Sequence, residues 1–184
     1  MLILMVGLPG TGKSTLSRAL VERFGGFVID KDVIRPALFG PSQIEYNVEQ
    51  DDFCQDIMLE TAEYLLNRHP ELRVFIDGRP FSREYQRERV RRTAERLATP
   101  FAVVECVARE ATALDRIRRD LNSGAHLAAN RNAELYFVKK QDFEREPLVC
   151  SRLTITSDQE LEKSLAMAEK YLSGLEARAA RQMT

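Results

Sequence analysis

The chain has no tryptophan, and only two histidines and three cysteines in 184 residues. An odd cysteine count with no C-x-x-C pair argues against a disulfide framework. Cys54, Cys106 and Cys150 therefore read as reduced core thiols of a cytoplasmic protein. No apolar run approaches the roughly 18–20 residues that a membrane span requires. The first one, Leu2–Val6, is too short for a signal-peptide core and has no basic flank. Neither sign of charge prevails: 27 basic and 28 acidic side chains leave a net charge of −1. That excludes a histone-like or tail-driven nucleic-acid binder, though not a local basic groove. Linkers, low-complexity tracts and internal repeats are also missing, so residues 1–184 read as one domain.

Short apolar runs alternate with amphipathic stretches. Strands are predicted at Leu2–Val6, 27–29, 74–76 (ending at Asp77), 101–107 and within 148–155. Helices are predicted at 15–24, 53–66, 85–97, 112–121 and 133–143. Residues 124–132 have a loop's composition. Ser157-Asp158-Gln159-Glu160 has the form of a capping box opening a last helix, with Leu161, Leu165, Ala168, Leu172 and Leu175 on one face. Beyond Gly174 the tail, 176–184, is expected to fray. Strand–helix alternation of this kind implies a three-layer α/β fold, a five-stranded parallel sheet with helices on both faces. Ligands of such sheets bind past the carboxyl ends of the strands.

Gly7-Leu8-Pro9-Gly10-Thr11-Gly12-Lys13-Ser14 satisfies G-x-x-x-x-G-K-[ST] without mismatch, between a buried strand and a helix. That is the P-loop arrangement. Gly7, Pro9, Gly10, Thr11 and Gly12 shape a turn whose backbone amides converge on phosphate oxygens at a helix N-terminus. Lys13 is expected at the β- and γ-phosphates, Ser14 on Mg²⁺ and Thr15 near the α-phosphate. Asp77, closing a strand, is a second Mg²⁺ candidate; the alternative is a loop carboxylate capping the turn at Gly78. Gly78 stands where an ATP-hydrolysing motor would carry a water-activating glutamate. No Asn-Lys-x-Asp guanine-reading motif occurs, which favours ATP.

Gly7–Thr15 together with Gly26-Phe27-Val28-Ile29-Asp30-Lys31-Asp32-Val33-Ile34-Arg35 resembles the P-loop kinases of the polynucleotide kinase, zeta toxin and chloramphenicol phosphotransferase group. The likeness extends through Asp77, Arg116–Arg119 and Ala133-x-x-x-Tyr136 to Phe143-Glu144, most of residues 1–172. It implies a small lid at about 120–135. It implies that Asp32 is the general base and Arg35 grips the acceptor. It also implies that lid arginines, Arg119 first and Arg116 next, neutralise the transferred phosphoryl group, with Arg131 a weaker candidate. An acceptor hydroxyl needs a base within hydrogen-bond reach, and a carboxylate just past a strand's end is well placed for it. Asp30 competes for the role, and either aspartate can instead cap a helix.

Arg79, two residues past Asp77, is a candidate acceptor contact. Arg83, Arg87, Arg89, Arg91, Arg92 and Arg96 read as a solvated helix face laced with Glu84, Glu88 and Glu95, rather than a polynucleotide track. Glu45, Glu49, Asp51, Asp52, Asp56, Glu60 and Glu63 form a base-free run, an acidic wall that would repel nucleic acid and favour a small neutral or cationic acceptor. His69 reads as a turn residue. His126 sits in the lid, and neither histidine has a partner at metal-ligand spacing. The expectation is an ATP- and Mg²⁺-dependent kinase acting on a small-molecule hydroxyl. The alternatives are a polynucleotide 5′-hydroxyl kinase, a nucleoside monophosphate kinase (suggested by Asp77-Gly78-Arg79-Pro80), or a nucleotide-binding switch with no acceptor.

Overall fold

The computed structural model describes residues 1–123 and 132–182. In chain order the elements are β1 (Leu2–Val6), α1 (Lys13–Phe24), β2 (Phe27–Asp30), α2 (Lys31–Leu38), a short 3-10 turn (Pro41–Gln43), α3 (Val48–Arg68) and β3 (Val74–Asp77). Then follow α4 (Glu84–Arg96), β4 (Phe101–Val107), α5 (Glu110–Ser123), α6 (Ala133–Arg145), β5 (Leu153–Thr156) and α7 (Leu161–Gln182). The five strands form one parallel sheet in the order β2-β3-β1-β4-β5. The expected doubly covered parallel sheet is therefore present.

The central strands have no polar face because both faces are covered. Leu2, Leu4 and Val6 of β1 point into a core with Val74, Ile76, Val103, Met58, Ala62, Phe81 and Val90, under α3 and α4. Met1, Ile3 and Met5 point the other way, onto Leu16, Leu20, Leu165, Ala168 and Leu172 of α1 and α7. Among the described residues no helix is long and apolar enough to cross a membrane.

Three expectations are corrected. Ser157 does not cap α7, which begins at Leu161 with Ser164 N donating to Glu160 O. Ser157 lies in the preceding turn, its amide bonded to Val107 O, while Asp158 accepts from Arg109 N. The turn is thus pinned to the end of β4, and that tertiary contact overrides the local capping pattern. The tail does not fray at Gly174; α7 runs to Gln182. Arg73, at the start of β3, grips Glu169 and Glu176 of that helix and ties its last turns to the sheet. Cys150 is exposed rather than core, whereas Cys54 and Cys106 are buried.

Candidate active site

All five parallel strands end at one rim, and β1 lies directly beside β3. The glycine loop that follows β1 and Asp77 at the end of β3 are thereby brought together. They open on a cleft of about 1010 Å³. Pro9, Gly10, Gly12, Lys13, Ser14 and Thr15 line it, as do Asp32, Asp77, Arg79 and Arg116.

The loop is shaped by close approaches. Gly10 has φ +80, and a Cβ there would stand 2.4 Å from Ala113 O of α5. Only glycine permits that contact in the left-handed region. Thr11 turns inward, its hydroxyl donating to Leu8 O at 2.7 Å. Lys13 Nζ donates to Gly7 O (2.8 Å) and Leu8 O (3.0 Å), arching over the loop. Arg116 of α5 stitches the loop to the β5–α7 turn: Nη1 donates to Gly10 O (3.2 Å) and Ser157 Oγ (2.6 Å), Nη2 to Ser157 O (2.9 Å).

Asp77 is fully buried. It accepts from Ser17 Oγ (2.9 Å) and Gly78 N (2.7 Å). Burial pushes its carboxyl pKa up, against the pull of the nearby Lys13 ammonium. The Asp77 carboxylate and the Ser14 hydroxyl line the same cleft and are hard oxygen donors of the kind that Mg²⁺ prefers. Asp77 bonds Gly78 as well, so both roles foreseen for it are compatible. Cys106 lines the same cleft, its thiol pushed up to about 12 by burial, which favours the neutral thiol.

Asp30 caps α2 by accepting from Asp32 N at 2.9 Å and is also held by Arg18 at 3.0 Å. Asp32 lines the cleft, with Oδ1 3.5 Å from Lys31 Nζ. Gly78 makes the position possible. It has φ +83, and a Cβ would stand 2.4 Å from Asp30 Oδ1 and 2.5 Å from Lys31 N.

Arg35 is buried and does not line the cleft; it bonds Asp51, and its guanidinium lies 5.0 Å from the Tyr46 ring centroid. Lys31 reaches the same carboxylate at 2.8 Å. Arg79 lines the cleft and bonds Asp52 and Gln55, each at 2.7 Å. Arg119 is exposed on α5 and is not a cleft-lining residue, whereas Arg116 is. Arg131 and His126 fall outside the described residues, as do residues 124–131 of the expected lid.

The acidic wall is partly neutralised. Asp51 pairs with Lys31 and Arg35, Asp52 with Arg79, Asp56 with Arg89, and Glu63 with Arg96. Four of the seven acidic residues are thus matched, Asp51 from α2 and Asp56 and Glu63 from α4, which weakens the electrostatic case against a nucleic-acid acceptor. Within α4, Glu88 pairs with Arg91 and Arg92 as the spacing implied.

Burial works against ionising Asp51, but Lys31, Arg79 and Arg35 outweigh it and hold its pKa below the ordinary carboxylate range. Its contribution to stability is present above that range and lost as pH falls through the lowered value. Asp51→Asn should cost about 3 kcal/mol at neutral pH, because Lys31 and Arg35 are left buried without their partner. The gap between the urea midpoints of the two proteins should begin to close below about pH 4 and vanish only as pH falls through the lowered value. A gap that stays constant with pH would show that the charge of Asp51 is not what stabilises this corner.

Reasoning from sequence missed Lys31, Arg18 and Ser157. The rule that sites gather at strand ends points to Ser157, the first residue after β5. Nothing in the local pattern marks Lys31, whose importance comes from Asp51, twenty positions away.

This loop, sheet order and cleft define a P-loop nucleotide-binding fold of the kinase-like kind. A family model described as an AAA domain matches residues 2–135, and the chain belongs to that family. No curated protein matches it. Solved structures show the same fold. An APS kinase from Mycobacterium tuberculosis, CysC, solved with AMPPNP and APS, is 14% identical, TM-score 0.69, covering 94% of this chain and 96% of that one. A gluconokinase from Sinorhizobium meliloti 1021 is 17% identical, TM-score 0.66, covering 98% of this chain and 94% of that one. Chaetomium thermophilum Kti12, solved with ADP-AlF3, is 14% identical, TM-score 0.71, covering 95% and 99%.

Proposed function

We propose that this protein is a kinase that moves the γ-phosphoryl group of Mg-ATP onto a hydroxyl of a small molecule, with a place near the polynucleotide kinase, zeta toxin and chloramphenicol phosphotransferase group. One observation carries the reading: the glycine loop and Asp32 line a single cleft, following strands that lie on either side of β3. The names of two structural neighbours, an APS kinase and a gluconokinase, denote small acceptors and support it. ATP as donor suits a cytoplasmic setting.

In this reading the amides after β1 hold the phosphates and Lys13 moves from the loop carbonyls to phosphate oxygens. Asp32 takes the proton of the attacking hydroxyl as the new bond forms. Arg116, already at the loop, faces the charge of the transferred group, with Arg119 available from the same helix; a planar guanidinium suits phosphoryl oxygens. Arg79 orients the acceptor, and Arg35 braces Asp51 behind Lys31. Ser14 and Asp77 would hold Mg²⁺, which when bound offsets charge on the β- and γ-phosphates. Gly78 in place of a glutamate leaves no second carboxylate there to activate water.

The test follows ATP consumption by the purified chain with and without a panel of alcohols, using phosphorus NMR to detect the product. A new phosphomonoester signal, with consumption raised about tenfold or more by one class of alcohol, is the expected result. ATP consumption that no alcohol accelerates would leave the switch reading in its place.

A further inference from the structure

The buried residues of α1, Lys13, Leu16, Ser17 and Leu20, fall on one stripe of the helix. Three of them have an evident use. Lys13 arches over the glycine loop, and Leu16 and Leu20 pack in the core. Ser17 is the exception, a fully buried hydroxyl within that stripe. A serine inside a helix ordinarily donates back to a carbonyl one turn earlier. Ser17 Oγ does lie 3.3 Å from Ser14 O, but Asp77 Oδ2 is closer, at 2.9 Å.

Asp77 is equally buried, and its two oxygens are held from two sides. Oδ1 accepts from Gly78 N at 2.7 Å, a donor fixed by the chain itself, and Oδ2 accepts from Ser17. Two such points set the plane of the carboxylate. A carboxylate has about four acceptor sites, so two donors orient it without exhausting it. The neighbouring charges oppose each other: Lys13 attracts that of Asp77, while Asp30, its partner in the β2–β3 register, repels it. Ser14 and Asp77 line the cleft, whereas Ser17 does not.

We propose, resting on the Mg-nucleotide part of the reading above, that Ser17 is a positioning residue: its hydroxyl holds the Asp77 carboxylate in the orientation in which that group and Ser14 would bind Mg²⁺. Ser17 touches neither metal nor nucleotide. Two serines one turn apart on α1 thus divide the work, Ser14 facing the ligand and Ser17 setting the carboxylate from behind. Without the Ser17 hydroxyl, Oδ2 loses a donor in a place that water does not reach, and the carboxylate is freer to turn.

The experiment measures binding of AMPPNP in EDTA by calorimetry, and binding of Mn²⁺ to the protein–AMPPNP complex by loss of the free Mn²⁺ paramagnetic resonance. Ser17→Ala should lower the Mn²⁺ affinity of the complex about 10–100-fold, the usual effect of losing a group that orients a metal ligand. AMPPNP affinity in EDTA should match that of the parent. Asp77→Asn supplies the second background. Asparagine keeps the shape, its oxygen accepting from Gly78 N and its amide donating to Ser17 Oγ. There Ser17→Ala should change Mn²⁺ affinity by no more than about twofold, because the carboxylate through which it acts is gone. Thermal unfolding checks that each variant folds. Unchanged Mn²⁺ affinity in Ser17→Ala would overturn the proposal. So would losses that add in the double variant, or a matching loss of AMPPNP affinity in EDTA, since Ser17 would then serve the fold alone. A parent complex that binds Mn²⁺ no better than free AMPPNP does would remove the metal role of Asp77 and this proposal with it. Transfer to alcohols is measured separately. Metal binding that depends on Ser17, with no alcohol phosphorylated, supports the proposal and sinks the kinase. Transfer that is indifferent to Ser17, with Mn²⁺ affinity unchanged, does the reverse.

Discussion

Asp32→Asn should lower turnover by about 10²–10⁴-fold while leaving nucleotide affinity nearly unchanged. Asparagine keeps the shape of aspartate and cannot take the acceptor's proton. In the proposed reading the nucleotide is held by the loop between β1 and α1, not by Asp32, so its binding has no reason to change. The neighbouring carboxylates are poor substitutes. Asp30 is engaged by Arg18 and by the amide of Asp32, Asp51 by Lys31 and Arg35, and Asp77 is fully buried beneath Ser17 and Gly78. Single-turnover rates and equilibrium titration with AMPPNP separate the two effects. A variant that turns over within about threefold of the parent would remove Asp32 from the chemistry. One that loses nucleotide affinity equally would make it a structural residue.

The second large effect is expected from Gly78→Ala. The left-handed backbone at this position costs an alanine about 1–2 kcal/mol. The greater penalty is contact. The added methyl would stand 2.5 Å from Lys31 N and 3.0 Å from Asp32 N, backbone atoms that cannot swing aside. The start of α2 must move away from β3, and it carries Asp32 with it. A displacement near 1 Å at a reacting group costs about 10²-fold in rate. Gly25→Ala is the matched control. Gly25 has φ +78 with nothing within 4 Å of a Cβ, so it bears the backbone cost alone. Urea midpoints and turnover should both fall further for Gly78→Ala. Equal losses in the two variants would mean that the β3–α2 contact does not hold the site.

Much of this protein was readable residue by residue. The strands were legible because β1, β3 and β4 are covered on both faces, and uninterrupted apolar runs such as Leu2–Val6 have no other use. The glycine loop was legible because its spacing follows from the geometry of a phosphate held at a helix N-terminus. Asp32 and Asp77 could be singled out because each follows or closes a strand on the rim where ligands bind.

Other features depended on distances that chain order does not encode. The acidic run from Glu45 to Glu63 suggested a repulsive wall, yet Lys31, Arg35, Arg79, Arg89 and Arg96 close over it from other elements. Ser157 carried a convincing capping pattern, and a turn pinned by Val107, Arg109 and Arg116 claimed it instead. Arg116 and Arg119 are alike in composition and differ only in which way one helix faces. Local pattern is sufficient where one element's own burial or one ligand's shape dictates the residues. Electrostatic balance and side-chain direction are properties of pairs, and those pairs form only when the sheet has brought distant segments together.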